Sequence, residues 1–241
     1  MRGRSWPKNR GIYGETAFRM ARRRKDDLRH GGKHAVKSRN RPETVAPVGL
    51  RIVAGRFRGR KLAYSGDRRV RPMKQRVRES LFSILGGSLD GYQVVDLFAG
   101  TGALALESLS RGATRAILVE LHRPTAACLQ KNIVALGVES ETRLIVGDAF
   151  KREDVWSHLD DAPWIVFCCP PYELFHSRRG EMLTLIEGII SRLPGESALV
   201  VESDVAFPPS ALPDADRWDV RRYPPAQLAF YFTDAEVEPE A

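Results

Sequence analysis

The chain reads as an α/β protein on a mostly parallel, seven-stranded sheet with an antiparallel edge, preceded by a small β-hairpin and a helix. Three observations predict this. From Gln93 onward, short β-branched runs alternate with helical periods, the pattern of a parallel sheet covered on both faces. The first run ends V-V-D-L-F-A-G-T-G-A, Val94 to Ala103, a glycine turn of the kind that lets backbone approach a ligand. The last two runs, joined through Pro224-Pro225, leave no room for a helix and so form a closing hairpin.

The elements follow in order. Leu50 to Tyr64, L-R-I-V-A-G-R-F-R-G-R-K-L-A-Y, alternates and breaks at Gly59, which predicts a hairpin with arginines on one face. Val77, Leu81, Ile84 and Leu85 recur at helical spacing, and Gly86-Gly87 stops that helix. Strands are expected at Gln93 to Phe98, Arg115 to Val119, Thr142 to Val146, Trp164 to Phe167, Ser197 to Glu202, Trp218 to Tyr223 and Gln227 to Phe232. Helices are expected at Ala103 to Ser110, Thr125 to Leu136 and Glu181 to Leu193.

Composition narrows the class. Of 241 residues, 43% are hydrophobic, enough for a real core, yet nothing approaches an apolar run long enough to span a membrane. Three cysteines, two of them adjacent, make no disulfide framework and no zinc spacing, so a reducing cytoplasm and no metal are expected. Charge is segregated. Residues 1–48 carry 14 basic against 4 acidic side chains, residues 49–79 carry 11 against 2, and the rest is acidic. A basic front joined to an acidic body is the footprint of a polyanion-binding arm, and nucleic acid is the expected partner. The expected division is a basic extension without a fixed fold (1–48), an arginine-rich hairpin and helix (49–86), a ligand-binding core (87–235) and an acidic tail (236–241). Arg56, Arg58, Arg60, Arg71, Arg76 and Arg78 are the candidate phosphate contacts.

The chemical signals cluster at predicted strand ends. Gly100 and Gly102, with Phe98 and Thr101 in the same loop, would cradle a ligand, and Glu120 ends the second strand where an acid can hold ribose hydroxyls. These features fit any adenosyl cofactor, NAD included. Asp96 ahead of the glycines favours a cationic amino-acid moiety over a diphosphate, and I-V-G-D-A-F sets Asp148 and Ala149 at the rim, where an adenine amino group could be met. Both shift the expectation to S-adenosylmethionine.

D-L-F-A-G-T-G-A-L, Glu120, G-D-A, P-P-Y and V-E-S (Val201 to Ser203) together resemble the class I, Rossmann-like methyltransferases. R-I-V-A-G-R-F-R-G-R-K-L followed by R-P-M-K-Q-R-V-R-E-S-L-F resembles, more narrowly, the RsmD family, over about residues 49 to 233. The resemblance implies a cytoplasmic, monomeric bacterial enzyme that methylates a guanine N2 of 16S ribosomal RNA, naked or in the small subunit. It also gives W-I-V-F-C-C-P-P-Y a role: Pro170 and Pro171 shape a turn and aim a carbonyl at the exocyclic amine, and Tyr172 stacks on the flipped base.

The family pattern has aspartate where this chain has Cys169, and Thr and Asp where it has Met73 and Gln75. Three readings of Cys169 stay open: a tolerated replacement beside the Pro170 carbonyl, a thiolate, or a nucleophile on a pyrimidine C6 as in C5-methyltransferases. Two further alternatives are a non-catalytic RNA-binding or assembly protein that kept the cofactor pocket, and an NAD-dependent enzyme.

Overall fold

In a computed structural model the chain is described over residues 49–64, 66, 72–151 and 153–235. The expected extension 1–48, the tail 236–241 and Arg71 lie outside these residues. Helix α1 spans Gln75–Ile84; then come β1 (Gln93–Asp96), α2 (Ala103–Ser110), β2 (Arg115–Glu120), α3 (Arg123–Leu136), β3 (Thr142–Val146), β4 (Trp164–Cys168), α4 (Leu174–Ser177), α5 (Arg179–Ile190), β5 (Ala198–Asp204), β6 (Trp218–Tyr223) and β7 (Ala226–Phe232).

The strands form one sheet in the order β3-β2-β1-β4-β5-β7-β6. The five from β3 to β5 are parallel, and β7 runs antiparallel between β5 and β6. The hairpin therefore closes the sheet as expected, with its second strand tucked inside the first. Order reverses between β1 and β4, and in such sheets the crevice above that switch point is where ligands bind.

One face carries a continuous apolar cluster in which Val95, Val166, Cys168, Leu199 and Val201 meet Phe175 of α4 and Met182, Ile186 and Ile189 of α5. On the other face Phe82 of α1 packs edge-on against Phe167, ring centroids 6.2 Å apart. The β3–β4 connection carries two short 3-10 turns that the sequence periods do not show, Ala149–Lys151 and Glu153–His158.

The N-terminal hairpin is shorter than expected. Arg51 and Lys61 form a single antiparallel bridge, flanked by Ile52 N–H to Arg60 (3.0 Å) and Leu62 N–H to Leu50 (2.9 Å). Arg58, Gly59 and Arg60 N–H bond back to Gly55, Ile52 and Phe57, but the other amides of the tip bond to α2. Val53 and Ala54 donate to the Glu107 carboxylate (2.7 and 3.0 Å), Arg56 to the Ser110 carbonyl (2.8 Å), and Phe57 to Ser110 Oγ (2.9 Å). Gly55 holds a positive φ of 79°, and any Cβ there would lie 1.7 Å from the Ser110 oxygen. Only glycine fits that approach.

Candidate functional site

Because β1 to β5 are parallel, their C-terminal ends share one rim, and the sequence-predicted residues converge on it. Asp96 ends β1, 2% exposed, and among the described residues its Oδ1 makes no hydrogen bond. Burial raises its pKa from 3.8 to about 7, helped by the nearby Glu120 charge and opposed by the backbone amides of Phe98 and Ala105. A buried carboxyl with an unpartnered oxygen is costly unless something binds it. It suits the ammonium group of an amino-acid moiety.

Glu120 ends β2 and organises the glycine turn. Its carboxylate accepts from Gly100 N–H (2.8 Å) and His122 N–H (2.8 Å). Each oxygen keeps a lone pair, so ribose hydroxyls can be accepted as well. Gly102, φ 78°, serves packing rather than ligand approach: a Cβ there would sit 2.3 Å from Leu129 Cδ1. Thr101 is buried, and its carbonyl accepts from Asn132 Nδ2 (3.0 Å). Beyond β3, Ala149 is buried and Asp148 caps its own turn through Phe150 N–H (3.2 Å), with Arg178 3.9 Å away. Arg178 also lies over the Phe150 ring, 4.0 Å from its centroid, and that ring meets Phe98 edge-on at 6.1 Å. Carboxylates, glycine turn and aromatics thus share one rim and supply the chemistry an adenosyl group with a charged amino-acid end requires. Replacing Glu120 with Ala is expected to weaken S-adenosylhomocysteine binding by about 1.5–3 kcal/mol, the worth of a charged hydrogen bond, while the fold persists. Titration calorimetry checks this; an unchanged Kd in a folded variant removes Glu120 from the site.

The second half of the rim is the C-P-P-Y turn. Cys168 is fully buried in the apolar cluster, as its place on the strand predicts. Cys169 is half-buried at the rim, and Pro171 turns the chain by accepting from Leu174 N–H (3.0 Å). Among the described residues no donor bonds the Pro170 carbonyl. Tyr172 donates its hydroxyl to Glu202 Oε1 at 2.8 Å. Burial pushes the Cys169 thiol well above its ordinary value, and the charges of Glu202 and Asp96 push it the same way. Both effects disfavour the anion that the thiolate and nucleophile readings of Cys169 need.

Sequence reading missed the partners. Glu202 in V-E-S reads in the sequence only as part of a motif; it sits in β5 just past the last residue paired with β4. His176, which no sequence pattern singles out, meets Asp204 Oδ2 at 2.8 Å.

The arginines divide. Arg56, Arg58, Arg60 and Arg76 are exposed. Arg56 pairs with Glu141, and Arg60 donates to the Ala135 carbonyl. Those partners and Ser110 lie at the C-terminal ends of α2 and α3 and the start of β3, so the hairpin tip sits at the sheet edge opposite the rim of Asp96 and Glu120. Arg78 is a correction. It is 1% exposed, donates to the Arg51 carbonyl at 2.6 Å and lies 3.9 Å from Glu107. It staples the hairpin to α2 and has no surface to offer a phosphate.

Comparison with known proteins agrees with this geometry. The family model described as Conserved hypothetical protein 95 matches residues 50–231. Ribosomal RNA small subunit methyltransferase D of Escherichia coli K12 is 35% identical over 199 residues, 80% of this chain and 93% of the relative. The protein of the same name from Haemophilus influenzae is 35% identical over 127 residues, 51% of this chain and 64% of the relative. Among solved structures, one titled "Putative methyltransferase yhhF from Escherichia coli" superposes with a TM-score of 0.60 at 31% identity, covering 78% of this chain and 99% of its own. With the sheet order, the glycine turn and the P-P-Y lip on one rim, the chain belongs to the RsmD family of class I methyltransferases.

Proposed function

We propose that the chain methylates small-subunit ribosomal RNA, with S-adenosylmethionine as cofactor and a guanine N2 of 16S RNA as the acceptor. The observation that carries this is the lip itself: an aromatic ring fixed by its hydroxyl, beside an unbonded backbone carbonyl, on the rim that holds the cofactor crevice. When bound, the cofactor supplies a methyl group already activated by the sulfonium. The protein then has to position and to accept a proton. Asp96 and Glu120 hold the donor, Tyr172 offers the stacking face to a flipped base, and the Pro170 carbonyl accepts one amine proton. The arginine hairpin and Arg76 supply phosphate contacts. A ribosomal substrate puts the enzyme in the bacterial cytoplasm, acting as a monomer.

Transfer of labelled methyl to 16S RNA and to small subunits, followed by digestion to nucleosides, tests the reading. Label in N2-methylguanosine supports it. Label in a C5-methylpyrimidine would move the reaction to another base, and no label with intact cofactor binding would make the chain an assembly factor.

Removing residues 1–48 leaves the whole family-matched region. The truncated chain is expected to keep S-adenosylhomocysteine affinity, to bind RNA more weakly, and to show a shallower dependence of affinity on salt, as fewer counterions are released. Filter binding across a salt series reads both; an unchanged slope would exclude these residues from the RNA interface.

A further inference from the structure

The hairpin arginines stand far from where a target base would lie. Arg56 pairs with Glu141, just ahead of β3, and a strand such as β2 (Arg115–Glu120) is about 17 Å from that end to the rim. At about 3.4 Å per phosphate along one strand of a duplex, a contact at the tip falls roughly five nucleotides from the rim. A base presented to the lip therefore needs other cations beside it.

Four exposed ones surround the ends of β5, β7 and β6. The last residue of β5, Asp204, pairs with Ala226, and Ala226 pairs with Tyr223, so the β6–β7 turn is on the rim. Arg222 lies level with Ser203 across β7, on the face where Trp218 and Val220 join the apolar cluster. Helix α1 docks on the same corner, Ser80 Oγ sharing a hydrogen bond with the Tyr223 hydroxyl. Its far end approaches the start of β2, where the Gly87 carbonyl accepts from Arg111 (3.1 Å), so Lys74 and Arg76 stand at the rim end. Helix α5 also begins at the rim, just past the lip, and its first residue, Arg179, lies 5.6 Å from the centre of the Phe207 ring beyond β5. Three acids of this corner are already engaged: Glu79 by Gln75, Asp204 by His176 and Asp219 by Arg221, each at 2.8 Å.

We propose that Lys74, Arg76, Arg179 and Arg222 form a second phosphate track, which grips the RNA immediately flanking the target base while the hairpin holds RNA further away. The inference rests on the RNA methyltransferase reading above and adds positioning residues to it. Lys74 and Arg76 approach from the α1 face and Arg179 and Arg222 from the α5 face, so a strand crossing this corner is held from both sides. Phosphate contacts carry no sequence information, but they fix register, which an extruded base requires. The other half of the rim carries Asp96, Glu120 and Asp148, whose charge repels phosphates and steers the backbone toward the basic corner. The starts of α1 and α5, both at this corner, add the positive ends of two helix dipoles.

The test compares wild type with the Arg179→Gln/Arg222→Gln pair, the charge-keeping Arg179→Lys/Arg222→Lys pair, and Arg143→Gln, an exposed cation of β3 at the other sheet edge. Filter binding of protein-free 16S RNA and of small subunits is read across a salt series. Single-turnover methyl transfer is read at saturating substrate, and S-adenosylhomocysteine affinity and melting temperature are measured on each chain. The glutamine pair should flatten the plot of log affinity against log salt by about 1.5, two contacts at roughly 0.7–0.9 each. Its rate at saturation should fall about 10-fold, because the base is held less often in place, with cofactor affinity and melting unchanged. The lysine pair should restore the slope, and Arg143→Gln should match wild type.

An unchanged slope in the glutamine pair overturns the proposal. A flatter slope with an unchanged rate at saturation does so too, since the contacts would then lie away from the target base. An equal effect of Arg143→Gln would reduce the track to general charge and overturn it. Weaker binding of subunits with unaltered binding of protein-free RNA would assign the corner to a ribosomal protein instead. If the glutamine pair melts lower, the lysine pair decides, and a slope it leaves flattened overturns the track. Wild type that labels no ribosomal RNA overturns the methyltransferase reading, while the salt slopes still judge the track by itself.

Discussion

Glu107→Ala is expected to destabilise the fold by about 3–5 kcal/mol, the usual result of removing one partner from a buried ion cluster. Glu107 is 0% exposed, and four donors converge on its carboxylate: Val53 and Ala54 N–H, and Arg111 through Nε (3.0 Å) and a second nitrogen (2.9 Å). Arg78 lies beside it with burial lowering its pKa and Glu107 raising it, and its Nε has no hydrogen-bond partner among the described residues. Without the carboxylate, two guanidinium groups would remain in low dielectric with no counter-charge. Glu107→Gln should cost less, since it keeps one acceptor oxygen for the hairpin amides. Urea denaturation measures the effect. Hydrogen exchange should show Val53 and Ala54 losing protection first, because their bonds end on Glu107. A cost below about 1 kcal/mol, the size of an exposed pair, would show that the cluster is solvated in solution.

Asp96→Asn should move stability and binding in opposite directions. Asp96 titrates near 7 in the folded chain against 3.8 for an ordinary aspartate. The native state therefore holds more protons than the unfolded state between those values, and stability falls as pH rises through that window. Above about pH 7 the whole penalty stands, on the order of 2–4 kcal/mol at about 1.4 kcal/mol per pKa unit. Asparagine escapes it. The variant should melt higher than wild type at neutral pH, and the difference should shrink as pH falls and vanish well below 3.8, where Asp96 is protonated in both states. Its affinity for S-adenosylhomocysteine should fall by about 10- to 100-fold, because the charge opposite the ligand's ammonium is lost. In wild type at slightly acidic pH, binding should release a proton, measurable by calorimetry in buffers of different ionisation heat. If Asp96→Asn lowers the melting temperature at neutral pH, the carboxyl is holding the fold and not waiting for a ligand.

The core of the fold was legible because it is written locally. The seven strand runs carry their own β-branched periods, and each emerges within a residue or two of its expected ends. The glycine turn and the acids at 96, 120 and 148 were legible for the same reason: a strand end in a parallel sheet is a rim by construction. Arg78 was misread because burial is not local. Its neighbours in sequence are arginines of an exposed basic stretch, while its partner Glu107 sits on another helix, in the apolar run A-L-A-L-E-S-L. The tip of the hairpin failed likewise, since its alternation predicts pairing with itself while Glu107 and Ser110 outcompete the partner strand for its amides. Cys169 was legible as a departure. Its neighbour Glu202 was not, because only the β4–β5 register makes them adjacent.

Asn132 gives the molecule a thermodynamic linkage. Its buried side chain accepts from Ala63 N–H (2.6 Å) and donates to the Ala63 carbonyl (3.1 Å) and to the Thr101 carbonyl (3.0 Å). One amide thus closes both the segment that follows the arginine hairpin and the turn that cradles the cofactor. Whatever free energy a ligand spends ordering residues 99–102 is shared with residues 61–64 through this side chain. If RNA orders the hairpin through this side chain, reciprocity requires that each ligand change the other's affinity by the same factor. Asn132 is where occupancy at one end of the molecule is converted into affinity at the other.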